Sequence, residues 1–241
     1  MKSLALILTR KTNDYVDTLK SSLDIDANII SDSDYEDNFI LKNGFYNLTA
    51  TVKKPSAWDK SFFLLSKLDL IREYDYVYFI EDDVFSRNNK QINSLISRLD
   101  HIDASFISHD IKSKQDSLNW YWWRENNLRS LGSGFFDNNF KSDNLYKSFN
   151  PFCRLSSQLL KLILHFRTQH HKFYFHEILF PTLCIQNNME IFDLSTDNVS
   201  KNFFDIFRYR PILNQFYIST DKIYHPFKPD YPSETPIKDE T

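Results

Sequence analysis

An apolar run followed directly by three acidic residues stands at Tyr76-Val-Tyr-Phe-Ile-Glu-Asp-Asp-Val-Phe85. Its first five residues are apolar or aromatic, and they have the length and β-branched content of a buried strand. The carboxylates of Glu81, Asp82 and Asp83 follow at once. In an open α/β sheet, ligands bind outside the carboxyl ends of the strands. The stretch therefore predicts a strand that delivers acidic side chains to a binding edge.

Carboxylates held this close raise one another's pKa unless a cation neutralises them. Oxygen ligands of this kind suit hard divalent ions, so the acidic cluster predicts a site for Mn²⁺ or Mg²⁺. Magnesium usually binds through one or two carboxylates together with substrate phosphates, which indicates a ligand that carries a diphosphate. The alternative is a solvated turn or a helix N-cap, where Asp and Glu are also common, and the residues leave it open.

The segments around this strand alternate between strand and helix patterns. Short apolar runs predict further strands at 4–8, 27–30, 104–108, 149–154 and 190–193, with a shorter one at 39–41. Apolar side chains at three- and four-residue steps predict helices at 13–23, 57–70, 89–99 and 158–167. Residues 203–209 are compatible with either a helix or a strand. The order up to residue 108 predicts an α/β fold with a Rossmann-like, mostly parallel central sheet flanked by helices.

The composition of the 241-residue chain, 41% hydrophobic and 25% charged, is that of a soluble globular protein. A net charge of −3 shows no broad basic excess, which argues against nucleic acid as a partner. Two cysteines without metal spacing fit a reducing compartment. The N-terminal apolar run is too short for a signal peptide, and no stretch reaches the ~18 apolar residues of a transmembrane segment. We therefore expect a cytoplasmic protein, and peripheral membrane contact stays open.

Glu81-Asp82-Asp83 after a hydrophobic strand resembles the acidic metal-binding motif, often called DXD, of glycosyltransferases with the GT-A fold. The resemblance covers roughly the first two thirds of the chain by the order of its strands and helices. Near the C-terminus, Tyr224-His225-Pro226 also resembles a segment of these enzymes. It implies a GT-A-like fold and an enzyme that transfers a sugar from a nucleotide-diphosphate sugar. UDP-sugars are the usual donors where such a motif is used, and the acceptor would be a glycan or another hydroxyl compound.

The resemblance also implies roles for individual residues. Glu81 and Asp83 would hold the metal, and His225 would complete its shell, since imidazole is an acceptable Mn²⁺ ligand beside carboxylates. An arginine at the end of the first strand could pair with phosphate. The expected donor contacts are Thr9, Arg10, Asp32, Trp58, Lys60, Asp82 and Lys228. The alternatives are a loop charge for Arg10, an Asx-type turn for Asp32 and a core side chain for Trp58.

Glu177 is the candidate general base, because inverting GT-A enzymes carry an acidic residue where a helix begins after the acceptor region. The similar segment here is Phe175-His-Glu-Ile-Leu-Phe-Pro-Thr182, with His-Glu where many such enzymes have two acidic residues. A partly desolvated carboxylate suits proton removal from an acceptor hydroxyl. The alternative is a glutamate favoured by the helix macrodipole, and a retaining enzyme would need no such base.

We expect one catalytic domain at 1–228, with a nucleotide-sugar half at 1–115 and an acceptor half at 116–228, followed by a loose tail at 229–241. Residues 119–125 include three of the four tryptophans, which indicates either a buried helix or a wall that faces the acceptor. Two other functions stay open. The first is a nucleotidyltransferase, which usually has a glycine-rich basic loop after its first strand. Residues 9–12 contain no glycine, which argues against it. A non-catalytic module would bind a glycan or partner through the aromatic side chains.

Overall fold

The computed structural model describes residues 1–49, 54–67, 70–87, 89–123, 140, 144–209, 213 and 218–227. Within this part of the chain a six-stranded sheet forms the centre, in the order β2-β1-β3-β5-β4-β6. Its strands are β1 Ser3–Thr9, β2 Asp26–Ser31, β3 Tyr76–Glu81, β4 Phe106–Ser113, β5 Tyr146–Ser156 and β6 Ile191–Asp193. β5 runs antiparallel to both of its neighbours, and the other pairs are parallel. The predicted α/β class with a mostly parallel central sheet is confirmed.

Helices cover both faces of this sheet. They are α1 Asp14–Ser22, α2 Asp37–Lys42, α3 Ala57–Lys67, α4 Leu70–Glu73, α5 Lys90–Leu99, α6 Ser157–His170 and α7 His176–Gln186. Two short strands, β7 Phe204–Phe207 and β8 Ile223–His225, pair with each other outside the main sheet. Residues 203–209, compatible with either structure in the sequence, thus contain a strand. No helix among the described residues is long and apolar enough to cross a membrane.

β3 is buried on both faces, as its continuous apolar run predicted. Because successive side chains of a strand point to opposite faces, Val77 and Phe79 pack into one core and Tyr78 and Ile80 into the other. The first core lies under α3, α6 and α7, and the second lies under α1 and α5. The sheet is therefore a rigid, two-sided support for whatever follows Ile80.

The strand predicted at 39–41 is wrong, because these residues lie in α2. The helix ends in a Schellman motif, in which Gly44 donates to the carbonyl of Leu41 and Phe45 donates to that of Ile40. Gly44 has a positive φ of 72°, which glycine adopts without a steric penalty. The glycine therefore closes a short helix whose apolar content had suggested a strand.

β5 joins the two predicted halves of the chain. Although it follows residue 115, it lies between β3 and β4, so that a single sheet contains strands from both halves. Its Arg154 is fully buried and donates to the carbonyls of Leu99, Ile102 and Ala104. These bonds fix the connection between α5 and β4. The predicted division at residue 115 stays a prediction, and the tail at 229–241 lies outside the described residues.

Candidate metal and donor site

The acidic residues lie at the carboxyl edge of the sheet, where β3 leaves β1. Asp82 donates its backbone N–H to Leu8 O at 2.9 Å, which extends the β1–β3 pairing by one step. The C-terminal strand folds back over this loop. Phe85 and Tyr224 exchange backbone hydrogen bonds of 2.9 and 2.8 Å, and Phe227 donates to Asp83 O at 2.8 Å. This pairing brings His225 to the acidic cluster from the far end of the sequence.

Glu81, Asp83 and His225 form one group, in which a ligand atom from each residue lies within 4.8 Å of the other two. His225 Nε2 is 3.0 Å from Asp83 Oδ1 and 3.7 Å from Glu81 Oε2. His225 Nδ1 lies 3.0 Å from the carbonyl of Arg208. Since a carbonyl can only accept, Nδ1 carries a proton and Nε2 faces the carboxylates.

This ligand set fits a divalent cation. Neighbouring ligands in an octahedron with bonds of ~2.1 Å are about 3 Å apart, which matches the Asp83–His225 spacing of 3.0 Å. Two carboxylates and an imidazole suit Mn²⁺, and a histidine that binds a metal commonly donates its other N–H to a carbonyl, as His225 does. Burial alone would lower the pKa of His225, but its hydrogen bonds to Asp83 and Glu81 and their negative charge raise it to about 9, so a cation that binds Nε2 would have to displace a proton from it.

The predicted donor contacts Thr9, Arg10 and Asp82 lie together at this edge. Thr9 is buried, and its hydroxyl lies 2.7 Å from Asp82 Oδ2. The same hydroxyl accepts a 3.1 Å hydrogen bond from the backbone of Lys11. Arg10 is exposed one residue beyond the strand. The edge therefore carries the Thr9 hydroxyl and the Asp82 carboxylate in contact, with Arg10 one residue further along the chain, and the contact of these residues with a donor stays a prediction.

Asp32 and Lys60 lie against each other at the start of α3. Asp32 Oδ1 accepts from the backbone of Ala57 at 2.7 Å, which satisfies an N–H of the first helical turn. Lys60 is fully buried, and its ammonium contacts the carbonyl of Asp32 and lies 3.2 Å from Asp37 Oδ1. Both side chains thus join α3 to the segment after β2, and their contact with a donor stays a prediction. Lys228 lies outside the described residues.

Trp58 is buried and lies between the acidic cluster and α7. Its indole N–H donates to Glu81 Oε1 at 2.9 Å. Its ring stacks on His176 with a centroid distance of 4.1 Å and an interplanar angle of 17°. The sequence alternatives for Trp58 were a donor contact and a core side chain. In the structure Trp58 is buried, and it also donates a hydrogen bond to a candidate metal ligand, which no local sequence pattern indicates.

Glu177 lies in the first turn of α7, as the sequence predicted for the candidate base. Burial raises its pKa to about 8, with a further contribution from the charge of Glu81, although the backbone of Asn150 and the charges of Lys147 and His225 act in the opposite direction. A carboxylate with a pKa near neutrality is suited to taking up a proton during a reaction. Its catalytic role stays a prediction.

Three neighbouring polar residues escaped the sequence reasoning. Asn150 Nδ2 lies 3.0 Å from His176 Nδ1, and Ser108 Oγ lies 2.7 Å from Asn150 Oδ1. All three residues are buried. The pairing of β4 with β5 brings Ser108 and Asn150 together, and a single sequence carries no signal for that register. His176 had a signal, because it stands next to Glu177 where a second acidic residue was expected.

The tryptophan-rich segment forms one side of a cleft of about 260 Å³. The cleft is lined by Lys112, Asp116, Ser117, Leu118, Asn119, Trp120 and Lys147. Trp120 stacks on Phe175, the residue before α7, at 6.2 Å and 12°. Trp123 is buried and donates its indole N–H to Ser117 Oγ at 3.0 Å. Trp123 belongs to the core and Trp120 lines the cleft, and a wall that faces the acceptor stays a prediction.

No protein-family model matches the chain, and no curated protein sequence does. Among solved structures, the fold is similar to mouse xyloside xylosyltransferase 1 in its apo form, with 12% identity, a TM-score of 0.36 and coverage of 80% of this chain and 84% of that chain. A galactosyltransferase, LgtC, in complex with donor and acceptor sugar analogues has 11% identity, a TM-score of 0.39 and coverage of 78% and 72%.

A third similar structure is A197 from STIV, with 11% identity, a TM-score of 0.29 and coverage of 67% of this chain and 68% of that chain. All three TM-scores lie below 0.5 and all three identities lie below 25%. These similarities therefore define neither a ligand nor a reaction for this chain.

Proposed function

We propose that this chain is a metal-dependent glycosyltransferase. It transfers a sugar from a nucleotide-diphosphate sugar, by default a UDP-sugar, to a hydroxyl group of a glycan or another acceptor. The observation that carries this proposal is the convergence of Glu81, Asp83 and His225 at the carboxyl edge of the sheet. Ligands of open α/β sheets bind at this edge, and the three side chains offer the oxygen and nitrogen atoms that Mn²⁺ or Mg²⁺ accepts.

The reaction needs stabilisation of the negative charge that develops on the leaving nucleotide. Glu81, Asp83 and His225 would hold a divalent cation, which would supply this stabilisation when bound. Arg10 is exposed at the same edge and adds a fixed positive charge for a phosphate oxygen. Thr9 orients Asp82 through the 2.7 Å contact between its hydroxyl and the carboxylate.

Glu177 takes the proton of the acceptor hydroxyl in the inverting version of this reaction. A pKa of about 8 makes its carboxylate a stronger base than an ordinary glutamate, while about a tenth of it stays ionised at pH 7. Lys147, which is buried near it, favours the ionised form. A retaining reaction would leave Glu177 without this task.

The test is thermal unfolding with Mn²⁺ and each of UDP, GDP, CDP and ADP, for the parent and for Asp83→Ala. A ligand that binds the folded state raises the melting temperature, so we expect a rise with one nucleotide that requires Mn²⁺ and disappears in Asp83→Ala. Asp17→Ala, at an exposed position of α1, serves as the control and should keep the rise. A parent whose melting temperature responds to no combination would contradict the proposal and favour a non-catalytic module.

A further inference from the structure

We propose that Trp58, stacked on His176, is a positioning residue that holds Glu81 in the orientation required for metal binding. The inference rests on the proposed function in one respect, because it takes Glu81 to be a metal ligand. It goes beyond that function by giving a role to two buried aromatic side chains, of which Trp58 contacts the candidate ligand Glu81 and His176 stacks on Trp58.

The first observation is that the two carboxylate oxygens of Glu81 have different neighbours. Oε1 accepts the indole N–H of Trp58 at 2.9 Å, and Oε2 lies 3.7 Å from His225 Nε2. The side chain of Glu81 is 31% exposed, so burial alone does not restrict its rotamers. Fixing a glutamate side chain in one rotamer costs conformational entropy. A hydrogen bond that fixes it before the metal arrives removes part of that cost from binding.

The second observation is how firmly Trp58 is held. Its ring lies parallel to two others, with His176 at 4.1 Å and 17° and Phe79 at 5.1 Å and 15°. Phe79 stands two residues before Glu81 in β3, and alternate side chains of a strand share a face. The indole is therefore aligned with the strand whose carboxylate it contacts. With 4% of Trp58 exposed, its N–H has Glu81 as its acceptor.

The third observation is how His176 is held in turn. Asn150 donates from Nδ2 to His176 Nδ1 at 3.0 Å, and Ser108 Oγ lies 2.7 Å from Asn150 Oδ1. Burial lowers the pKa of His176 to about 3, so the ring is neutral and stacks on Trp58 without a charge to solvate. A neutral imidazole that accepts at Nδ1 keeps its proton on Nε2. Ser108, Asn150 and His176 are all buried, so water does not compete for the hydrogen bonds between them.

The arrangement links the metal ligand to the candidate base. His176 and Glu177 are consecutive residues at the start of α7, so the stack that orients Glu81 also fixes where the helix with Glu177 begins relative to β3. Residues that orient metal ligands from behind typically change metal affinity 10- to 100-fold when they are replaced. Trp58 is expected to behave in this way.

The experiment compares Mn²⁺ binding by the parent, Trp58→Phe and Trp123→Phe, with free Mn²⁺ measured by electron paramagnetic resonance. Phenylalanine keeps an aromatic ring in the stack and removes the indole N–H. We expect Trp58→Phe to bind Mn²⁺ ~10- to 100-fold more weakly. Trp123→Phe is the matched control, since it also removes a buried indole hydrogen bond, to Ser117 Oγ at 3.0 Å. It should bind Mn²⁺ like the parent.

A second measurement tests the same bond without removing the ring. The four tryptophans give four indole N–H signals in a ¹H–¹⁵N spectrum of the full chain. Glu81→Gln, without any metal, should shift one of them, and Mg²⁺ added to the parent should shift the same one. This variant keeps the proposal testable if Trp58→Phe fails to fold.

The outcomes separate the inference from the proposed function. A parent that binds Mn²⁺, with Trp58→Phe binding it within about twofold of the parent, would overturn the positioning role while leaving the metal site intact. Glu81→Gln with all four indole signals unmoved would overturn it as well. A parent that binds no Mn²⁺ would overturn the metal site and the positioning role together. Weakened binding in Trp58→Phe with parent-like binding in Trp123→Phe would establish the role of Trp58.

Discussion

Glu177 shows at the scale of one residue how surroundings define a chemical task. In water its carboxyl group would be ionised at neutral pH, whereas burial beside Glu81 raises its pKa to about 8. The group is therefore costly to ionise in the folded protein. A purely structural glutamate at a helix start would gain from the macrodipole without being buried next to another carboxylate.

Replacing this residue tests its role directly. Glu177→Gln keeps the size and removes the basic oxygen, so we expect transfer to slow by a factor of ~10²–10⁴, as is typical of general bases. The measurement is the rate of nucleoside diphosphate release from sugar donors that carry the nucleotide identified by thermal unfolding. Mn²⁺ affinity should be retained, which separates a lost base from a disturbed metal site. A variant with the rate of the parent would contradict the assignment.

Some site residues stand in short sequence motifs, whereas other contacts of the site arise only from tertiary packing. Glu81, Asp83 and His225 stand in motifs with local character, and the structure brings them together. The contact of Trp58 with Glu81 depends on how α3 packs against β3, which one sequence does not encode in any short pattern. Asp32 follows the same principle, because its carboxylate reaches Ala57 in a helix that begins after a connecting segment.

At the scale of an element, α3 depends on a buried carboxylate. Asp59 is 1% exposed and accepts hydrogen bonds from the backbone of Leu48 at 2.9 Å and of Ser56 at 2.8 Å, and from the hydroxyl of Ser56 at 2.9 Å. Burial nevertheless raises its pKa to about 6, because three donors offset the cost of a buried charge incompletely. The side chain joins the start of α3, and hence Trp58, to two connecting segments.

Asp59→Ala should therefore destabilise the protein far more than an exposed aspartate would. It leaves the buried N–H groups of Leu48 and Ser56 without this acceptor, at a cost of ~1–3 kcal/mol each. We expect a loss of about 2–5 kcal/mol in the free energy of unfolding, measured with urea. Asp17→Ala, exposed in the first turn of α1, is the control and should change it by less than about 1 kcal/mol. Equal losses in the two variants would contradict this account of α3.

Element prediction succeeded where the pattern was strong. The two-sided burial of β3 follows from a continuous apolar run, and α1, α5 and α6 follow from their periodic apolar faces. It failed at 39–41, where a glycine after one short turn closes a helix. The direction of β5 was beyond reach, because parallel and antiparallel strands of a buried sheet share the same apolar composition and the pairing partners are distant in the sequence.

At the scale of the whole molecule, contacts between distant segments close the fold around the sheet. Arg98 on α5 donates a hydrogen bond of 2.9 Å to Oδ2 of Asp197, a residue that follows β6. The same oxygen accepts the backbone N–H of Ser200 at 2.6 Å. Burial alone would raise the pKa of Asp197, but the bonds from Ser200 and Arg98 outweigh it and lower the pKa to about 2. The ionised carboxylate is thus stabilised in the folded state.

This pair predicts a dependence of stability on pH. The pKa of Asp197 is lower in the folded chain than the ~3.9 of an unfolded aspartate, so its contribution of up to about 2 kcal/mol is present above pH 4 and is lost as the pH falls from about 4 to about 2. The free energy of unfolding should differ most between the parent and Asp197→Asn at neutral pH. The difference should shrink across that acidic range, as followed by urea unfolding at several pH values. A difference independent of pH would contradict the linkage.

The candidate site is likewise a property of the whole molecule. The end of β3 supplies Glu81 and Asp83, β8 supplies His225, and α7 supplies Glu177. The resemblance assigned these residues separately, whereas the pairing of Phe85 with Tyr224 brings His225 to Glu81 and Asp83. Sequence reasoning could thus identify the chemical groups, and the tertiary fold determines that they meet.

Anomalous diffraction from crystals grown with Mn²⁺ and a nucleoside diphosphate, for the parent and for Asp83→Ala, would locate the metal. We expect an anomalous peak at bonding distance from Glu81, Asp83 and His225, with the diphosphate as a further ligand, and no peak there in Asp83→Ala. A parent without a peak among these three residues, or a peak that persists unchanged in Asp83→Ala, would contradict the claim that they hold the catalytic metal.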